Sequence, residues 1–161
     1  MIRGLMAGGL ASFLLAAEAI ALSCVPPNMA QTFNQLNDVP EPYALMIGTF
    51  EPTGPLPQPQ PGVPMAANFI FQGSQVGQGF LAQHQHWPVL VETKCLASWC
   101  GGFPQPRDTM MVFLENRGGQ YVYKPGPCDP MAKSWPSREQ VDAVQRCMTY
   151  GECGPAEVSV F

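Results

Sequence analysis

Charged side chains are scarce in this sequence. Lysine, arginine, aspartate and glutamate together make up 12% of its 161 residues, and the net charge at pH 7 is −4. The basic residues occur singly along the chain rather than in runs. Surfaces that bind nucleic acid or anionic lipid need clustered lysine and arginine. We therefore expect no nucleic-acid partner.

Common catalytic motifs are also missing. The chain has no Gly-x-Ser-x-Gly turn that would present a serine nucleophile, no Cys-x-x-Cys pair and no Gly-x-Gly-x-x-Gly phosphate loop. If all its cysteines are bridged, none is left to act as a nucleophile beside a histidine. We expect neither an enzymatic activity nor a cofactor.

Long hydrophobic runs are confined to the N-terminus. The segment from Leu5 to Ala17 is apolar, follows Arg3, and is too short to span a bilayer, so residues 1–21 are interpreted as a secretory signal peptide. Small residues permit cleavage after Ala21 or after Ser23. Lipid modification of Cys24 at the cleavage site is a third interpretation, but the residues before Cys24 match a lipoprotein signal poorly. We expect a secreted or periplasmic protein with no stable membrane span once the signal is removed.

Cysteine, in contrast, is present in an even number beyond the predicted signal peptide. An even set in an exported chain is typical of structural disulfides. The six are Cys24, Cys95, Cys100, Cys128, Cys147 and Cys153. Residues 22–161 have the length of one domain, about 140 residues, and we expect a single one.

The middle of the chain has the pattern of a loop-rich β protein. Segments with alternating or continuous apolar residues predict five strands, at 43–51, 68–80, 87–94, 109–115 and 120–124. Between the first two, residues 52–64 contain six prolines, which cannot donate to a hydrogen-bond ladder, so an exposed extended loop is expected there. The sequence "NRGG" before the last strand predicts a hairpin turn.

Two helices are expected to flank these strands. Met29, Phe33 and Leu36 align on one face of a short helix beginning near Asn28. Near the other end, Ser137 and Gln140 form a capping-box pattern, followed by an apolar stripe of Val141, Val144 and Met148. The chain then turns, so that Cys153 can return to Cys147 and close a disulfide at the helix end.

Glycines at 73, 77 and 79 in the second strand would let it bulge and coil sharply, as small closed barrels require. A helix, five strands and a helix, with this early kinked strand, favour a five-stranded Greek-key barrel of the OB type. A β-sandwich is the alternative, although five strands are few for one.

Four motifs resemble a known family. They are "SCVPP" before the first helix, "IGTF" at the end of the first strand, "CGGF" from Cys100, and "PCDPMAKSW" around Cys128. Together they are similar to the netrin-like OB-fold module, specifically the N-terminal domain of tissue inhibitors of metalloproteinases. The resemblance covers residues 22 to 153.

The resemblance implies a disulfide pattern. It pairs Cys24 with Cys128, which would hold the N-terminus against the barrel. The family's first cysteine normally bridges to the residue that Cys100 matches, but here Leu22 stands in its place. Cys95 is the natural replacement partner, which gives a Cys95–Cys100 bridge.

The resemblance also implies a working surface. The family inhibits zinc metalloproteases by laying the free amine and first carbonyl of the mature chain on the catalytic zinc. Cleavage after Ala21 would put the Leu22 amine at that position. The residues that would then form the N-terminal edge are Leu22, Ser23, Cys24, Val25 and Pro26. The expected partner is a protein, and the most specific candidate is a zinc metalloprotease.

Two other classes of function remain open from the sequence. A structural or adaptor protein of the cell envelope could use the barrel face or the loop at 52–64 to hold a partner. A metal or redox protein could use the Cys95 and Cys100 pair, or His84 with His86, whose imidazoles would share one face of an extended segment. No third metal ligand is identifiable beside the histidines, so we interpret them as a solvated pair and expect no bound metal.

Overall fold

A computed structural model describes residues 24–77 and 80–161 of the chain. The predicted signal peptide, Leu22, Ser23 and the glycine at 79 lie outside these residues. The helices are α1 Met29–Asn37, α2 Arg138–Tyr150 and α3 Pro155–Val158. The strands are β1 Tyr43–Pro52, β2 Ala66–Gly77, β3 Phe80–Leu81, β4 Gln85–Glu92, β5 Cys95–Leu96, β6 Trp99–Cys100, β7 Met110–Arg117, β8 Gln120–Tyr123 and β9 Ala132–Ser134.

Five strands close into a barrel in the order β1, β2, β4, β8, β7 and back to β1. All neighbours are antiparallel except β4 and β8, which run parallel through pairs such as Val89 with Tyr121. This is the five-stranded OB-type Greek-key barrel that the sequence predicts. Four short strands were not predicted: β3 pairs antiparallel with the end of β2, β9 pairs antiparallel with the start of β7, and β5 with β6 forms a separate two-stranded hairpin.

Alternation along the strands divides the apolar residues between two cores. On β1, Met46 and Phe50 point into the barrel, where Phe50 stacks on Tyr123 with ring centres 5.5 Å apart and meets Phe71 edge-on at 4.8 Å. Leu45, an odd-numbered position next to Met46, points outward into a second core. The barrel is therefore buried on its inside and, along one wall, on its outside.

The helices cover that outer wall. Met29 of α1 and Val144 of α2 are fully buried against Leu45, Met111 and Phe113 of β1 and β7. Full burial of a valine, leucine, methionine or phenylalanine side chain stabilises the fold by about 1.5–3 kcal/mol. The apolar stripes predicted for both helices thus face the barrel.

Local signals fix where the elements begin and turn. The Asn28 side chain caps α1 by accepting a hydrogen bond from the Gln31 amide, and Ser137 with Gln140 forms the predicted capping box of α2. Between β7 and β8, Gly118 and Gly119 both have positive φ, 61° and 94°, which is the backbone of a type I′ hairpin.

Candidate functional site

The described part of the N-terminal edge is Cys24, Val25 and Pro26, and all three are exposed. The Val25 side chain is the extreme case, with 87% of its surface accessible. An apolar side chain this exposed on a fixed backbone is available for a contact with another molecule. Pro26 and Pro27 restrict the backbone that leads from it into α1.

A disulfide joins Cys24 to Cys128, which are 104 positions apart in sequence and have their Cα atoms 5.2 Å apart. It is the pairing that the family resemblance implies. Because the bridge lies at the first described residue, it holds the described beginning of the N-terminal edge against the segment that follows β8. Cys24 cannot move away from the barrel without breaking this bond.

The segment that carries Cys128 is itself fixed from two sides. The Asp129 carboxylate accepts hydrogen bonds from the Tyr123 hydroxyl and, at 2.9 Å, from the Met131 amide. The Thr32 hydroxyl of α1 donates to the Pro130 carbonyl at 2.8 Å. Barrel and helix therefore position Cys128, and through it the N-terminal edge.

Burial changes the pKa values of Asp129 and Tyr123, the pair that holds the segment carrying Cys128. Burial raises the pKa of Asp129 above its usual value, although the hydrogen bonds from Tyr123 and Met131 act in the opposite direction. Burial, and then the neighbouring Asp129, also raise the pKa of Tyr123. The Tyr123 hydroxyl consequently keeps its proton and acts as the donor in this pair.

Helix α1 is anchored at the other side of the edge. The Asn28 side chain donates to the Val158 carbonyl of α3 at 3.0 Å. Asn34 exchanges two hydrogen bonds with the Cys153 backbone, at 3.0 and 2.7 Å, and Cys153 is bridged to Cys147 of α2. The edge and α1 border a groove of about 370 Å³ whose lining side chains are uncharged.

The "CGGF" corner packs beside the same support. Cys95 and Cys100 face each other across the β5–β6 hairpin and form a disulfide. At the next residue, Gly101, a Cβ would lie 2.2 Å from the Pro125 carbonyl oxygen, so only glycine allows this approach. The segment from Pro125 to Cys128 thus connects the corner to the N-terminal edge.

The proline-rich segment forms a second groove on the far side of this corner. Residues 53–64 are exposed, and the segment is held near its end by a hydrogen bond from the Gly62 amide to the Ser98 carbonyl at 3.3 Å. Between the segment and Phe103 lies a groove of about 620 Å³. The predicted extended loop is therefore one wall of a groove.

His84 and His86 are both exposed, and their ring centres are 6.0 Å apart at an interplanar angle of 85°. Across the described ranges 24–77 and 80–161, no group of three or more histidine, cysteine, aspartate or glutamate side chains could hold a metal ion. In those same ranges, no helix is long and apolar enough to cross a membrane.

Sequence reasoning missed two features of the site. The Tyr123–Asp129 hydrogen bond joins residues six positions apart across a strand end, and no periodic pattern marks such a pair. The close approach of Gly101 to Pro125 depends on tertiary folding, although a glycine in "CGGF" is a signal that another backbone comes close.

Comparison of the chain with protein-family models, with curated proteins and with solved structures gives no match.

Proposed function

We propose that this chain is an exported, disulfide-bonded protein-binding module of the netrin-like type, which inserts its N-terminal edge into the cleft of a zinc metalloprotease. The observation that carries the proposal is the clamped and exposed edge: Val25 is 87% accessible, and its neighbour Cys24 is bridged to Cys128. A segment ordered before binding loses less conformational entropy on association than a free chain end does.

The chemistry at the protease would come from the first residue. With the chain cut after Ala21, the Leu22 amine lies two residues ahead of the clamped Cys24. An unprotonated amine is a nitrogen ligand for zinc, and an α-amino group has a pKa of about 7.7–8.0, so a useful fraction is unprotonated at neutral pH. Val25 and Pro26 would then enter the adjoining part of the protease cleft.

The decisive experiment compares three forms of the protein against a panel of zinc endopeptidases. One form begins at Leu22, the second carries an acetyl group on the Leu22 amine, and the third begins at Cys24. Only the first is expected to inhibit, since the other two lack a free amine at the required distance. Equal inhibition by all three forms would exclude coordination by the amine, and no inhibition by the first would exclude the protease proposal.

A matched pair of variants tests the edge itself. Val25→Asp places a charge on the exposed edge, whereas Val63→Asp places the same charge on the proline-rich segment, where Val63 is 45% accessible. We expect only Val25→Asp to weaken inhibition. Equal effects of the two variants would show that the edge is not the contact surface.

An adaptor role is the second candidate, and the groove beside the proline-rich segment favours it. Its wall of exposed prolines presents carbonyl groups and apolar rings without a regular ladder, as extended peptide ligands do. If the protein binds a partner without inhibiting it, and Leu56→Asp abolishes binding while Val25→Asp does not, the adaptor role replaces the inhibitor.

The cysteines support export to an oxidising compartment. Three disulfides are typical of extracellular or periplasmic proteins. Because the sulfur of Cys24 is bonded to Cys128, it is not free to carry the thioether of a lipid anchor. We therefore favour a released protein over a lipid-anchored one.

A further inference from the structure

We propose that His84 and His86 form a surface binding site for Cu²⁺. These are the two histidines of the whole sequence, and the fold brings their rings to within 6.0 Å of each other on an exposed surface. Neither residue takes part in the N-terminal edge or in the two grooves described above.

The ring separation suits a shared ion. A metal bound through an imidazole nitrogen lies about 2.0–2.1 Å from that nitrogen and hence about 3 Å from the ring centre. Two rings on one ion therefore have centres no more than about 6 Å apart. The observed separation of 6.0 Å reaches this limit, and exposed side chains such as His84 and His86 are free to rotate their rings toward one ion.

The backbone around the pair is held on both sides. Before it, the Ala82 amide donates to the Gln75 carbonyl at 2.9 Å. At the pair itself, His86 lies opposite Gln72 in the register of β4 and β2. Directly opposite residues share a face with Cβ atoms about 5 Å apart, so the Gln72 amide oxygen is a third group within reach of the ion.

The donor set selects copper among the common divalent ions. Zinc sites in proteins use three or four protein ligands, whereas the pair supplies two imidazoles. Cu²⁺ binds nitrogen ligands most tightly of the first-row divalent ions and accepts a tetragonal arrangement completed by oxygen ligands such as water or an amide. All six cysteines are in disulfides, so no thiolate competes for the ion.

The test is a Cu²⁺ titration followed by electron paramagnetic resonance and by competition with a chelator of known affinity. The protein used has an acetylated N-terminus, so that the terminal amine does not bind copper. We expect one equivalent of Cu²⁺ with two imidazole nitrogens as ligands. Loss of a residue that merely supports a metal ligand already costs roughly 10- to 100-fold in affinity, so His84→Asn and His86→Asn should each cost at least that much.

Gln83→Asn is the matched control, because it changes a neighbouring exposed side chain and keeps both imidazoles. It should bind copper as the unaltered protein does, and Zn²⁺ should bind the unaltered protein at least tenfold more weakly than Cu²⁺. The proposal fails if the double variant His84→Asn with His86→Asn retains the affinity, or if the spectrum shows fewer than two imidazole nitrogens. These readouts are independent of protease inhibition.

Discussion

Gly48 of β1 and Gly73 of β2 lie directly opposite each other in the barrel, and their backbones touch where a side chain would otherwise stand. A Cβ on Gly48 would lie 2.6 Å from the Gly73 Cα and 2.1 Å from the Gln72 carbonyl oxygen. Two strands can approach this closely only where both residues lack a side chain. The pair allows β1 and β2 to coil together as the barrel closes.

Gly48→Ala should therefore destabilise the protein, because the new methyl group meets backbone atoms that cannot move aside. We expect a loss of about 1–3 kcal/mol or more in the free energy of unfolding, measured by urea denaturation. Gly54→Ala is the control, since nothing lies within 4 Å of the Cβ it would gain. Equal stability of the two variants would refute the close-approach argument.

Removing the disulfide at the N-terminal edge should cost more than removing the hairpin disulfide. Cys24 and Cys128 are 104 positions apart, whereas Cys95 and Cys100 are five apart. The loop-entropy relation gives a difference of about 2.5 kcal/mol between the two bridges. Unfolding of the two double serine variants in urea measures it, and an equal or reversed order would show that loop entropy does not dominate.

Tyr123→Phe should weaken the support of the edge. The substitution leaves a half-buried Asp129 carboxylate without one of its donors, which typically costs about 1–3 kcal/mol. Because that hydrogen bond lowers the Asp129 pKa, its loss should raise the pKa further, as read by NMR titration. Tyr150→Phe, at a tyrosine that is 76% exposed, is the matched control and should change neither quantity.

Glu115 should make the protein lose stability in acid. The hydrogen bond from Lys124, and then the one from Arg117, hold the pKa of Glu115 below its ordinary value despite its burial. The folded state therefore binds fewer protons here than the unfolded state does. The resulting stabilisation is complete above the unfolded pKa, near 4.5, and is lost as pH falls through the folded pKa.

The variant Glu115→Gln keeps the shape of the side chain and removes this titration. Urea unfolding is measured from about pH 3 to about pH 7. The difference in stability between the unaltered protein and the variant should shrink as the pH falls. A difference that is constant across the range would show that the ion pairs with Lys124 and Arg117 do not contribute. Asp129 titrates in both proteins and so cancels in the comparison.

Much of the local structure could be predicted from short patterns. Alternating or continuous apolar residues marked the five barrel strands, because a strand buried on one face buries every second side chain and a strand buried on both faces, such as β7, buries nearly all of them. The capping box at Ser137 and the glycine pair before Gln120 marked an element start and a turn, because each satisfies backbone groups within a few residues. The strands β3, β5, β6 and β9 were missed because two or three residues are too few to show a period.

The amino-acid sequence by itself determined the barrel strands, the two main helices and an even set of cysteines, since each depends on neighbours along the chain. Only the tertiary structure decided that Gly48 meets Gly73, that Tyr123 supports Asp129 and that His84 and His86 share one exposed surface. These contacts arise when strands and loops pack in three dimensions. Their energies depend on which atoms meet across the fold, and a one-dimensional pattern does not specify that.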